Sequence, residues 1–393
     1  MFSKGKEGFF VKINHRYLNT APSIIREFAE TFAQIDGLLP FTIGEPDLNA
    51  PETVKDAIKK ALDENKTHYA SAKGLGELVE AIVAYFKRTQ DLDLKADNVI
   101  ITNGVTEAVK IAMDVFINEG DKIIVPSPFF GLYEMTAAIA GAELVTLDTS
   151  QTDFKLTPKA LERSLDANPE TRLVLLNYPN NPIGNTYTKD EIRELAEVIK
   201  RYDVFVISDE IYSDMIYDQD HYSIYNEIPN QTIYLNGPSK SYAMTGLRIG
   251  FIHMPDGYVT QGLVSHQTMV TSVSTPDQHG AIAAYNECDD FVVEARDKFK
   301  SRRDLLLEEL PKIGLEFVHP AGAFYIFIKA PESYHGDDKQ FALDLAHQAK
   351  VGVIPGFAFG NAGKGYVRFS YASSYESIQE GLKRLKNFVD QLG

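Results

Sequence analysis

Short apolar runs alternate with amphipathic stretches along most of the chain. Six runs of branched apolar residues each stop at a cluster of glycine, proline, asparagine or acidic residues, and these predict strands at 99–102, 122–125, 173–176, 204–208, 232–235 and 249–253. Helical periodicity is strong at 52–64, 75–88, 106–116 and 189–201. This alternation predicts βαβ units around a mainly parallel sheet.

The C-terminal part has a different pattern. A long amphipathic stretch at 289–310 precedes short strands near 325–328 and 366–370 and a closing helix at 376–392. We therefore predict an α/β protein with a large domain at 48–290 and a smaller α+β domain, in which residues 1–47 join residues 291–393. The turn-rich segment 40–51 is the expected crossover between the two.

Composition and charge narrow the function classes. The 393 residues include 55 acidic and 39 basic side chains, and the net charge of −16 disfavours binding to nucleic acid or an anionic membrane. A lone cysteine, Cys288, allows neither an intrachain disulfide nor a cysteine-rich zinc site. The lone cysteine predicts a cytoplasmic protein without a metal. No signal peptide and no apolar stretch of about 18 residues is found, so we also expect the protein to be soluble.

Candidate chemistry is expected where the strands end, because ligands bind outside the carboxyl ends of strands in open parallel sheets. The first predicted strand runs into Gly104, Val105 and Thr106 and then into a helix, which would present free N–H groups and the helix dipole to a phosphate. An ordinary strand-to-helix turn has the same pattern. This signal alone does not distinguish the two.

Two further strand ends carry polar side chains. The strand at 173–176 leads into a turn at 177–184 with two prolines and three asparagines, which could present an amide to a ligand. The apolar strand at 204–207 ends at Ser208 and Asp209. A buried carboxylate there requires a cation, and a protonated pyridine nitrogen would serve, although a helix N-cap is the common role of such a residue.

A lysine follows the next strand. Lys240 lies in a loop of small residues, with Arg248 eight residues further on. Desolvation and nearby cations would lower the pKa of this amine and favour Schiff-base chemistry. Most lysines in loops are simply solvated, so the position alone is a weak signal.

Four motifs in this order and spacing resemble those of fold-type-I pyridoxal-phosphate enzymes, specifically class I aminotransferases of the subgroup that includes bacterial aromatic aminotransferases. They are Asn181-Pro182-Ile183-Gly184, Asp209-Glu210-Ile211-Tyr212, Ser239-Lys240 and Thr245-Gly246-Leu247-Arg248. The likeness runs along essentially the whole chain and implies a seven-stranded sheet. Ile183 and Leu247 replace a usual threonine and a common tryptophan, neither of which is catalytic in the family.

The resemblance implies pyridoxal 5'-phosphate as the cofactor and a catalytic set of Lys240, Asp209 and Tyr212. Lys240 would carry the cofactor as a Schiff base, and Asp209 would pair with the pyridine nitrogen. Asn181 and Tyr212 would bond the phenolic oxygen. The implied phosphate ligands are Gly104, Val105, Thr106, Arg248 and, across a homodimer, Tyr69 of the partner subunit.

Three further positions match the family. Phe130 stands where an aromatic side chain stacks on the cofactor ring, although it could equally be a core phenylalanine. Arg368 matches the arginine that grips the substrate α-carboxylate, and strand alternation places it opposite Val367 and Phe369. Gly44 matches a backbone position beside the same carboxylate.

The implied activity is ping-pong transamination, with an aromatic amino acid as donor and 2-oxoglutarate as acceptor. An aromatic mouth is expected from the residues Phe9, Phe10, Tyr17, Phe129, Phe130 and Tyr133. Aspartate or N-acetyl-diaminopimelate as donor, and a C–S β-lyase, are enzymatic alternatives that share the motifs. A sensor domain that binds the cofactor without turnover is the non-enzymatic alternative.

Overall fold

The computed structural model describes residues 13–18 and 20–392 and shows an α/β protein with three sheets. The helices are α1 His15–Leu18, α2 Ile24–Phe32, α3 Glu52–Asp63, α4 Gly76–Gln90, α5 Val105–Phe116, α6 Leu132–Ala140, α7 Pro158–Ala167, α8 Lys189–Ile199, α9 Val259–Met269, α10 Thr275–Glu287, α11 Asp289–Ile313, α12 Asp338–Asp344 and α13 Tyr375–Val389. The strands are β1 Leu39–Pro40, β2 Val99–Thr102, β3 Lys122–Ser127, β4 Glu143–Asp148, β5 Thr171–Asn177, β6 Phe205–Asp209, β7 Thr232–Asn236, β8 Gly250–His253, β9 Phe317–Val318, β10 Tyr325–Lys329, β11 Val351–Gly352, β12 Ile354–Pro355 and β13 Tyr366–Ser370.

The largest sheet has seven strands in the order β2-β8-β7-β6-β5-β3-β4. Strands β3 to β7 pair in parallel, whereas β8 runs antiparallel to both β7 and β2. Because β2 lies antiparallel to β8, it points the same way as the parallel strands. All carboxyl ends except that of β8 therefore meet at one edge, which confirms the predicted mainly parallel, seven-stranded sheet.

Both faces of this sheet are covered. Along β5, Leu173 and Leu175 pack into one apolar cluster, while Val174 and Leu176 pack into another on the opposite face. Side chains of a strand alternate between faces, so a strand buried on both faces appears as one continuous apolar run. This explains the unbroken hydrophobic run at 173–176.

The second sheet is antiparallel, with four strands in the order β12-β13-β10-β9. The 25-residue helix α11 leads into it, and β1 pairs with β11 in a third, two-stranded sheet. One apolar cluster joins residues of the two larger sheets, among them Phe251 and Phe369. Because this apolar core is continuous between the two sheets, it does not show where one domain ends and the next begins. The domain boundaries at 47/48 and 290/291 therefore remain a prediction.

The edge strand β4 was not among the predicted strands. Its six residues are half-buried or exposed, so they form no continuous apolar run. Within residues 13–18 and 20–392, no helix is long and apolar enough to cross a membrane. The same part of the chain contains no cluster of three or more histidine, cysteine, aspartate or glutamate side chains suited to a metal.

Candidate active site

A cavity of about 800 Å³ opens at the carboxyl edge of the seven-stranded sheet, between α2, the strand ends and the second sheet. Most of the residues singled out from the sequence line this one cavity. They are Gly44, Val105, Thr106, Phe130, Asn181, Asp209, Tyr212, Lys240, Arg248 and Arg368. Gly104 lies directly behind the cavity wall, next to Val105.

The Lys240 amine points into the cavity from the loop that follows β7. Its Nζ donates a hydrogen bond to the Gly44 carbonyl oxygen at 2.7 Å. Burial lowers the pKa of Lys240 to about 8; Glu45 opposes this shift, while Arg248 and Arg368 reinforce it. A substantial fraction of the amine is therefore neutral near physiological pH, and a neutral amine is the nucleophilic form.

The Asp209 carboxylate ends β6 and is 4% exposed. Its Oδ2 accepts a hydrogen bond from the Tyr133 hydroxyl at 2.7 Å, and its Oδ1 accepts one from the Ile211 N–H at 3.3 Å. Burial raises the pKa of Asp209 to about 6, although both hydrogen bonds act in the opposite direction. No lysine, arginine or histidine of the described chain lies within ion-pair distance of this carboxylate, so it can accept a cationic ligand.

The seat predicted for a phosphate has the expected form. Gly104 has a φ of +78°, and a Cβ at this position would lie 2.3 Å from Arg248 Nη2. Only glycine therefore lets the guanidinium approach the start of α5. Within the described part of the chain, the Val105 and Thr106 N–H groups form no hydrogen bond. A cation, a helix N-terminus and two free donors together favour an anion.

A buried pair beneath this seat was not found from the sequence. Glu107 Oε2 accepts a hydrogen bond from the Asn103 N–H at 2.5 Å, and its Oε1 lies 2.9 Å from His266 Nδ1. His266 is fully buried in α9, 159 residues from Glu107. The pair fixes the residue before Gly104. No local sequence pattern connects two residues so far apart, so the structure alone reveals this contact.

Arg368 joins the two larger sheets at the cavity. It projects from β13 and is 2% exposed, and its guanidinium lies over the rings of Tyr325 and Phe359 at 4.6 and 4.9 Å. Nη1 donates to Asn181 Oδ1 at 2.8 Å, and Nη2 donates to the Thr42 carbonyl oxygen. Nε has no partner among the described residues. The arginine is thus held rigidly, while its Nε–H and the second N–H of each terminal nitrogen remain available to a ligand.

Tyr325, a residue that the sequence did not indicate, contacts both Tyr212 and Gly44. The hydroxyls of Tyr212 and Tyr325 lie 2.7 Å apart, and both rings are buried. A Cβ at position 44 would lie 1.7 Å from the Tyr325 hydroxyl oxygen. Glycine at 44 is therefore required for this close approach, which also places the Gly44 carbonyl beside Lys240.

The structure places two side chains of the predicted aromatic mouth at the cavity. Phe130 and Tyr133 line it, with the Tyr133 hydroxyl bonded to Asp209, whereas Phe129 is buried and does not line it. Tyr17 is 60% exposed and does not line the cavity. Phe9 and Phe10 lie outside the described residues. Spacing cannot show whether an aromatic side chain faces a cavity or the core.

Tyr69 lies apart from this cavity. Its side chain is 86% exposed, and it is not among the lining residues of its own chain. The role expected for Tyr69 in a neighbouring subunit stays a prediction.

Ile183, which stands where the family usually has threonine, is buried with Phe327 and Ile354. This departure from the family pattern therefore affects packing.

Comparisons with known proteins agree with this arrangement. A family model described as aminotransferase class I and II matches residues 36–385. A probable N-acetyl-LL-diaminopimelate aminotransferase of Bacillus subtilis is 40% identical over 93% of this chain and 92% of its own length. Aromatic-amino-acid aminotransferase 2 of Thermococcus litoralis is 34% identical over 94% of this chain and 96% of its own. The structure of aspartate aminotransferase from Thermus thermophilus with maleate is similar at a TM-score of 0.91, with 32% identity, and covers 96% of this chain and 100% of that one.

The Tyr133 hydroxyl should control the protonation of Asp209. Replacing Tyr133 with phenylalanine removes a donor to the carboxylate, so the pKa of Asp209 should rise above about 6. Because hydrogen bonds to charged groups contribute about 1.5–3 kcal/mol, we expect a rise of about one pH unit or more. Infrared difference titration of the cofactor-free protein measures this, with Asp209→Asn to identify the carboxyl band.

A matched control is available on the surface. The Tyr202 hydroxyl donates to Asp166 Oδ1 at the same distance, 2.7 Å. Tyr202→Phe should leave the titration of the Asp209 band unchanged. If Tyr133→Phe left it unchanged as well, the hydrogen bond would not control this carboxyl group.

Proposed function

We propose an aromatic amino donor and 2-oxoglutarate as acceptor for this chain, which belongs to the pyridoxal-phosphate-dependent family of class I and II aminotransferases. The observation that carries the transaminase chemistry is the placement of Lys240 and Asp209 in one cavity, while the donor rests on the apolar part of the cavity wall. Neither the amine nor the carboxylate is paired with an opposite charge. Arg248 and Arg368 line the same cavity.

The residues present fit pyridoxal phosphate. The seat at the start of α5 leaves two N–H donors and Arg248 for a phosphate, and a Cβ at Gly104 would block that approach. Asp209 offers a buried carboxylate to a protonated ring nitrogen. We assign the phosphate to Gly104, Val105, Thr106 and Arg248, the pyridine nitrogen to Asp209, the ring face to Phe130, and the phenolic oxygen to Asn181 and Tyr212.

When bound, pyridoxal phosphate acts as an electron sink for the negative charge that develops at the substrate Cα. The Asp209 carboxylate holds the proton on the ring nitrogen, since in a buried site this charge pair is strong. Lys240 Nζ would take the proton from the substrate Cα and deliver it to the C4' carbon of the cofactor, because a pKa of about 8 lets the amine act as base and acid near neutral pH. Arg368 orients the substrate by binding its α-carboxylate.

The donor assignment is supported by the cavity wall and by one relative. Ile25, Ala29, Ile43, Leu132 and Ile211 line the cavity and offer apolar surface to a ring. The Thermococcus litoralis relative is an aromatic aminotransferase. A donor with a second carboxylate is the rival, since the Bacillus subtilis relative is a probable N-acetyl-LL-diaminopimelate aminotransferase and the Thermus thermophilus structure contains maleate.

A donor panel decides between these assignments. With 2-oxoglutarate as acceptor, we expect kcat/KM for phenylalanine and tyrosine to exceed that for aspartate and N-acetyl-LL-diaminopimelate by about tenfold, which corresponds to about 1.4 kcal/mol of transition-state stabilisation. Release of pyruvate and sulfide from cysteine would reveal C–S lyase activity. A preference for either dicarboxylic donor over both aromatic ones would overturn the aromatic assignment and leave the transaminase chemistry standing.

We also infer a cytoplasmic homodimer with shared active sites. Tyr69 is exposed and does not line the cavity of its own chain, as expected of a side chain that serves a neighbouring subunit. Sedimentation should show a dimer. Tyr69→Ala should weaken cofactor binding by about tenfold or more, because hydrogen bonds to charged groups contribute about 1.5–3 kcal/mol.

Hybrid dimers test the sharing directly. One subunit would carry Lys240→Ala and the other Tyr69→Ala. If Tyr69 serves the other subunit, one site of the hybrid has both lesions and the other has none, so the hybrid should recover about half of the wild-type activity. A hybrid no more active than Tyr69→Ala, or a fully active monomer, would contradict the shared site.

A further inference from the structure

One of the four positively charged side chains that line the cavity has no assigned ligand. Among the described residues, the cations in the cavity wall are Arg26, Lys240, Arg248 and Arg368. Three of them are assigned to proton transfer, the phosphate and the α-carboxylate. Arg26 remains, on the helix α2 that closes one side of the cavity.

The helix α2 is anchored so that Arg26 lies at the cavity wall while it stays exposed to solvent. Phe32 is 1% exposed and packs edge-on against Phe28, which in turn contacts Phe357. Arg26 and Ala29 lie on the side of the helix that lines the cavity. Packing of the two phenylalanines therefore fixes the side of α2 that a substrate would meet.

The Arg26 guanidinium has no hydrogen-bond or ion-pair partner in the described chain. Other arginines of the protein, such as Arg302 with Asp47 and Arg88 with Asp289, form short ion pairs. Glu30 is one turn further along α2 and also lines the cavity, yet its carboxylate is not within 4.0 Å of the Arg26 guanidinium. Arg26 can therefore bind an anion without breaking an existing contact.

The proposed acceptor requires such a cation. 2-Oxoglutarate has two carboxylates, and Arg368, held in place by its bonds to Asn181 and Thr42, is already assigned to the α-carboxylate. A carboxylate that leaves water without a partner is strongly destabilised, whereas a guanidinium can bind it through two parallel hydrogen bonds. The second carboxylate thus needs a cation elsewhere in the cavity.

We propose that Arg26 binds the distal carboxylate of dicarboxylic substrates and so determines the specificity of the cavity. This inference rests on the proposed function for its acceptor. Arg26 is exposed, so its head group returns to water when an uncharged ring occupies the same space. One cavity can then accept 2-oxoglutarate in one half-reaction and an aromatic amino acid in the other.

Binding of two inhibitors to the holoenzyme tests the proposal without turnover. Glutarate has a distal carboxylate, whereas 3-phenylpropanoate ends in a ring. Arg26→Gln should raise the Kd of glutarate about tenfold or more and leave that of 3-phenylpropanoate within about twofold. Arg26→Lys should recover part of the loss, since it keeps the charge but not the paired donors.

Kinetics provide a second readout and a control. Arg26→Gln should raise KM for 2-oxoglutarate about tenfold or more, with kcat and the KM for phenylpyruvate nearly unchanged. Glu30→Gln, on the same helix, should leave KM for 2-oxoglutarate the same or lower.

An unchanged glutarate affinity, or an equal loss for both inhibitors, would overturn the role of Arg26. Failure of the aromatic assignment can be distinguished from this result, because it would appear in the donor panel as a low kcat/KM of the wild-type enzyme for phenylalanine and tyrosine.

Discussion

The burial of two ionisable groups in one cavity, without direct pairing between them, is the constraint on which this structure depends. The Lys240 amine donates to a backbone carbonyl, and the Asp209 carboxylate accepts from a tyrosine hydroxyl. Since burial disfavours both charged forms, the pKa of the amine falls to about 8 and that of the carboxyl rises to about 6. Each group is thereby left available for a ligand, whereas a salt bridge between them would neutralise both.

The fold maintains this arrangement by uniting side chains from distant parts of the chain. The seven-stranded sheet places the ends of β2, β5, β6 and β7 along one edge, which fixes the phosphate seat, Asn181, Asp209 and Lys240 in a row. The second sheet contributes Arg368, whose bond to Asn181 connects β13 with the turn after β5. The cavity thus forms only where both sheets meet, so the position of the substrate carboxylate depends on their packing.

Much of this could be predicted from the sequence, since the signals were local. Apolar runs with polar ends predicted six of the seven strands of the large sheet, and alternation placed Arg368 opposite Val367 and Phe369. Contacts between distant residues were not predictable, notably Tyr133 with Asp209, Tyr325 with Tyr212, and His266 with Glu107. Strand β4 was missed because the exposed residues Glu143, Thr146 and Asp148 interrupt its apolar pattern. The role of Arg26 also depends on a helix whose orientation is set by Phe28 and Phe32.

The central claim is that Lys240 is the reactive amine of this cavity. The direct test adds pyridoxal phosphate to cofactor-free protein across a range of pH, traps the product with borohydride and maps the labelled peptide. The label should lie on Lys240, and its rate of formation should rise with pH and level off above about pH 8, because only the neutral amine reacts. A label on another lysine, or undiminished labelling of Lys240→Ala, would contradict the account.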